Sequence, residues 1–93
     1  MVKHIVCMKF REKADAATAK EKLDALMGKV PTLRSMEVGL DFMQSGRSYD
    51  LVLIATYDDR EGLAAYTQHP AHKEVQAYIH SVREAVVAVD FEF

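Results

Sequence analysis

Along this chain the spacing of apolar residues switches between two residues and about 3.6, and the order of those switches leaves few folds open. Val2, Val6, Met8 and Phe10 alternate with Lys3, Ile5, Cys7 and Lys9, which predicts a strand with one apolar and one mixed face. His4 falls on the apolar face. From Ala14 the spacing lengthens: Ala16, Ala19, Leu23, Leu26, Met27 and Val30 recur at helical intervals with Lys20, Glu21, Lys22 and Asp24 opposite. That pattern predicts an amphipathic helix ended by Gly28 to Pro31.

The period then returns to two. Met36, Val38, Leu40 and Phe42 alternate with Glu37, Gly39 and Asp41, a strand with one polar face. After a turn at SGRS comes YDLVLIATY, apolar on both faces at its centre, as in a strand covered on both sides. The short separation predicts a hairpin. Asp58 and Asp59 are candidate N-caps for a short helix carrying Leu63, Ala64 and Tyr66. Pro70 suits the first turn of a further helix, where its missing N–H is not needed. In that helix His72, Val75, Ile79 and Val82 form one inward stripe. A last strand, AVVAVDFEF, alternates Val87, Val89, Phe91 and Phe93 against Val86, Ala88, Asp90 and Glu92. The order β-α-β-β-α-α-β is an α+β, ferredoxin-like split βαβ with its second helical region broken in two, expected as a single domain over residues 1–93.

Helices on one face of such a sheet leave the other face needing cover. Three of the four strands carry apolar residues on both sides, and a chain of 93 residues buries only a modest core, so a homodimer packed sheet to sheet is expected. Twelve basic and 14 acidic residues are scattered along the chain, giving a net charge of -2, which argues against nucleic acid and against a basic membrane-binding face. The apolar start of MVKHIVCMKF is too short for a signal peptide or a membrane span. Cys7 is the only cysteine; it excludes an intramolecular disulfide and a multi-thiolate metal site, and it reads as a small buried hydrophobe. A reducing cytoplasm is the expected location.

Four segments in order, VKHIVCMKF, EVGLDF with SGRSYDLVLIATYDD, AYTQHPAHKEV and VVAVDFEF, resemble the stress-responsive A/B barrel domain (Dabb) family over essentially the whole chain. The resemblance implies a dimeric α/β barrel, in which two ferredoxin-like sheets close on each other with helices outside. One plant member of that family, olivetolic acid cyclase, closes a linear polyketide by aldol condensation without metal or organic cofactor. Its catalytic tyrosine and histidine fall, by the pattern Y-x-x-H-P-x-H, on Tyr66 and His72, and its first-strand pocket histidine falls on His4. The resemblance therefore makes Tyr66 and His72 the candidate catalytic pair and His4, Tyr66 and His72 the candidate ligand-binding set.

The residues themselves can be read without it. His72 lies on the inward stripe near a helix start, where the unpaired N–H groups oppose its protonation, and a neutral imidazole is what a general base requires. A buried histidine bonded to a backbone carbonyl is the other reading. Tyr66 is either a donor to a carbonyl oxygen gaining charge or an amphipathic core tyrosine. His69, before Pro70, is expected to cap the helix. Asp90 could add a carboxylate or a backbone contact beside His4, but reads more simply as a solvent-facing strand aspartate, and Arg47 and Arg60 as solvated charges. The spacing HExxH is absent, and neither a metal nor a cofactor is assigned. Two functions stay open: a homodimer binding a small apolar organic ligand between sheet and helices, with or without polyketide cyclase-like acid/base chemistry, and a non-enzymatic structural or stress-protective dimer.

Overall fold

The computed structural model describes Met1–Phe93. Its elements run β1 (Val2–Phe10), α1 (Lys13–Asp24), β2 (Ser35–Leu40), β3 (Leu51–Tyr57), α2 (Arg60–Gln68), α3 (Pro70–Val82) and β4 (Arg83–Glu92). All four strands join one antiparallel sheet in the order β2-β3-β1-β4, so the first strand is central and the last is an edge. This is the ferredoxin-like α+β arrangement expected from the periodicity, with the second helical region divided at His69.

Register decides which side chains share a face. Val2, Val6, Met8 and Phe10 of β1 lie with Leu51, Leu53, Ala55 and Tyr57 of β3 on the side covered by the helices, and Ala16, Ala19, Leu23, Tyr66 and Ile79 close over them. The opposite face carries Ile5, Cys7, Val52, Ile54, Val87, Val89 and Phe91 with no helix above it. Val87, Val89, Phe91 and Phe93 are between 42% and 63% exposed in the protomer. Cys7 is therefore half-buried on the open face and not in the core, because it alternates with the inward set.

Local chemistry sets most of the boundaries. The Asp59 carboxylate accepts from the Gly62 N–H at 2.8 Å and caps α2, while Asp58 pairs with Arg34. The His69 Nδ1 accepts from the Ala71 N–H at 3.1 Å and caps α3, with Pro70 in the first turn. Two boundaries differ from expectation. α1 stops at Asp24, because Leu26, Met27 and Lys29 donate to carbonyls three residues back, a tighter turn that Gly28 ends at φ +86°. Leu26 and Val30 stay buried in that turn, which is why the helical spacing ran on past the helix. β2 stops at Leu40, and Phe42 is 89% exposed in the following loop.

Asp50 ends that loop as the one buried charged residue. Its carboxylate accepts from the Phe10 N–H at 2.8 Å and from the Lys13 ammonium at 3.0 Å, tying the end of β1 and the start of α1 to β3. Burial raises its pKa, but the Phe10 and Lys13 bonds outweigh that and hold it below the ordinary carboxylate range.

Candidate functional site

Between the helix-side face of β1 and β4 and the underside of α3 lies a cavity of about 210 Å³. Val6, Met8, Leu53, Val75, Ile79 and Val86 make it apolar, and His4, Tyr66 and His72 all line it. A wider hollow of about 380 Å³ borders Val2, Leu63 and the exposed Arg60–Glu92 ion pair (2.7 Å), but it holds none of the histidines or tyrosines. Arg60 is thus paired as well as solvated.

His72 sits in the first turns of α3, brought over the sheet by the His69–Pro70 start. Its Nδ1 lies 3.2 Å from the Thr67 carbonyl oxygen. A carbonyl can only accept, so Nδ1 carries the proton and Nε2 is the free ring nitrogen, with a lone pair when the ring is neutral. Burial lowers the His72 pKa below its ordinary 6.5; the Thr67 bond acts the other way, and the charges of His4 and His80 add to the lowering. The direction is the one expected for a helix start, but its leading cause is desolvation.

The Tyr66 ring packs tilted against His72, with centroids 4.4 Å apart, and against Tyr57 at 5.3 Å; Tyr66 and His72 line the cavity and Tyr57 does not. Tyr66 is 1% exposed and its pKa is pushed up to about 12, chiefly by burial. It therefore stays protonated at neutral pH and keeps a proton to donate. Tyr57, which sequence reading did not single out, is fully buried and its hydroxyl has no hydrogen-bond partner. Burial first, and then the neighbouring Tyr66 phenol and Asp90 carboxylate, drive the Tyr57 pKa far above its usual value.

His4 reaches the same cavity from β1. The register pairs it directly with Asp90, whose carboxylate accepts a hydrogen bond from His4 Nδ1. Asp90 is therefore not simply a solvated strand aspartate: its side chain is 47% exposed, yet it fixes the ring of His4. His4 and His72, one held by a carboxylate and one by a carbonyl, each keep Nε2 free.

An α+β protein with a ferredoxin-like sheet, and an apolar cavity lined by two tethered histidines and a protonated tyrosine, is the class these features define. The chain belongs to the stress responsive A/B barrel domain family, whose model matches residues 2–93. It is 29% identical to a stress-response A/B barrel domain-containing protein of Arabidopsis thaliana, across 96% of this chain and 83% of that one. Among solved structures it is similar to a dimeric protein of unknown function and ferredoxin-like fold from Bacteroides fragilis, with 31% identity, a TM-score of 0.87 and coverage of 99% and 95% of the two chains. A dimeric ferredoxin-like protein of unknown function from Thermobifida fusca gives 26% identity and a TM-score of 0.87, covering 99% and 90%. No helix of the chain is long and apolar enough to cross a membrane.

Proposed function

We propose that residues 1–93 act as a single-domain homodimer, packed through the open sheet faces, that binds a small, mostly apolar organic molecule in the cavity and performs cofactor-independent acid/base chemistry on it in a reducing cytoplasm. The dimer rests on the exposed apolar residues of β4, on the half-buried Ile5, Cys7, Val52 and Ile54 beside them with no helix above, and on the dimeric state of the similar Bacteroides and Thermobifida proteins. The location rests on the lone cysteine.

The chemistry is proton abstraction next to a carbonyl. His72 Nε2 takes the proton, the electron pair moves to the carbonyl oxygen, and the Tyr66 hydroxyl donates to that oxygen as charge builds on it. The resulting enolate attacks a second carbonyl of the same molecule, a carbon–carbon bond forms, and the proton returns to the new alkoxide. This is the closure of a polyketide-like chain. The observation that carries the proposal is the Thr67–His72 hydrogen bond, which leaves Nε2 free beside a phenol that does not ionise at neutral pH.

Deuterium exchange at the acidic carbon of methyl 3-oxooctanoate, followed by NMR, tests it. The wild-type protein is expected to accelerate exchange over buffer, and His72→Ala to lose at least about a hundredfold of that acceleration with its fold intact. Exchange at the buffer rate with wild-type protein would remove the catalytic reading. A non-enzymatic structural or stress-protective dimer is the second reading, favoured by the near-complete burial of Tyr66. On that reading His72→Ala and Tyr66→Phe lower the melting temperature and exchange never exceeds background.

A further inference from the structure

The cavity has a second end. Along β1 its floor runs from His4 through Val6 to Met8, and along β4 it runs back through Ala88 and Val86 to Arg83. The register pairs His4 with Asp90 at one end of β4 and Phe10 with Arg83 at the other. His72 and Ile79, seven residues apart on α3, roof it over roughly 10 Å. The histidines and Tyr66 thus lie at one end and Arg83 at the other.

Arg83 faces the cavity because of an irregularity. Lys9 pairs with Ala85 but Phe10 pairs with Arg83, so Glu84 is an extra residue in β4. Without that bulge Arg83 would alternate with Ala85 and Val87 onto the open face. With it, Arg83 lies on the side of Phe10, under the helices. Its guanidinium makes no ion pair and no hydrogen bond within the protomer, unlike Arg11, Arg34 and Arg60. A half-buried arginine beside apolar walls presents a planar, permanently charged fork that matches a carboxylate.

We propose that Arg83 is a specificity determinant that selects ligands carrying a carboxylate at the end of an apolar chain, at the opposite end of the cavity from the group presented to His72 and Tyr66. This rests on the cavity being a ligand site, as in the proposed function, and adds the class of ligand. The stem of Arg83 packs along the cavity wall while its head meets the carboxylate.

Octanoate and octanamide, equal in length and differing in charge, are suitable probes, with affinities measured by isothermal titration calorimetry on the full chain. Wild-type protein is expected to bind octanoate about tenfold more tightly than octanamide. Arg83→Gln should erase that preference, lowering octanoate affinity far more than octanamide affinity, and Arg83→Lys should keep part of it. Circular dichroism melts check that each variant is folded. Equal affinities in the wild type, or a preference that survives Arg83→Gln, would overturn the role of Arg83 while leaving the cavity as a ligand site. Failure of the wild type to bind either probe would overturn both together. Loss of the preference in His72→Ala with retention in Arg83→Gln would place the carboxylate at the histidine end and overturn the assignment.

Discussion

Tyr57 keeps a hydroxyl in the core with nothing to bond to, and that single atom carries a measurable consequence. Removing an unpartnered buried hydroxyl while keeping the ring should be neutral or stabilising, so Tyr57→Phe is expected to raise stability by up to about 1 kcal/mol, seen as a higher urea midpoint with an unchanged slope. A clear loss of stability would mean that the hydroxyl is satisfied. His72 carries a pH signature. Its folded pKa lies below the ordinary 6.5, so the unfolded chain takes up this proton first as pH falls. Its contribution is complete above about 6.5 and is lost as pH drops through the folded value. The melting temperature is expected to fall more steeply between pH 7 and pH 5 in the wild type than in His72→Gln. Parallel curves would mean that the ring is no harder to protonate than in the unfolded chain. At this scale the sequence was informative where chemistry is local: the capping role of His69 follows from its place before Pro70. It favoured a solvated Asp90 over a pocket carboxylate, because the partner of Asp90 lies 86 residues away and is set by the register of two strands.

Elements were legible wherever one period persisted, and less so where burial outlasted the element. Leu26 and Val30 extend the apolar spacing of α1 into a turn that is no longer helix, and no signal in the spacing marks Asp24 as the end. The bulge in β4 that turns Arg83 inward is a pairing event between β1 and β4, invisible in either strand alone. Asp50 was missed for a related reason: its role is to join three elements. Asp50→Ala would leave the Phe10 N–H buried without an acceptor and Lys13 without its partner. Such a loss is expected to cost about 2–3 kcal/mol in chemical denaturation. A change below about 0.5 kcal/mol would show that the three-way tie contributes little.

For the whole molecule, the arrangement of periods was enough to define a ferredoxin-like sheet, because few folds accept that order of strands and helices. The same reasoning pointed to the uncovered face. Val89, 63% exposed in the protomer, should tolerate Val89→Lys as far as the protomer fold is concerned, yet place a charge in the proposed sheet-to-sheet contact. Sedimentation equilibrium at micromolar concentration is expected to give a dimer for the wild type and a folded monomer for Val89→Lys. A monomeric wild type would contradict the assembly. The cavity, in contrast, was legible only as a convergence of His4, Tyr66 and His72; its apolar length and cationic end needed the register. The central claim is that the intact protein holds His72 as a neutral base, and nitrogen-15 NMR of the histidine rings at pH 7 reads that state directly. The expected result is a neutral His72 with its proton on Nδ1 and an unprotonated Nε2, persisting below pH 6.5. A His72 ring protonated at pH 7, or one carrying its proton on Nε2, would contradict it.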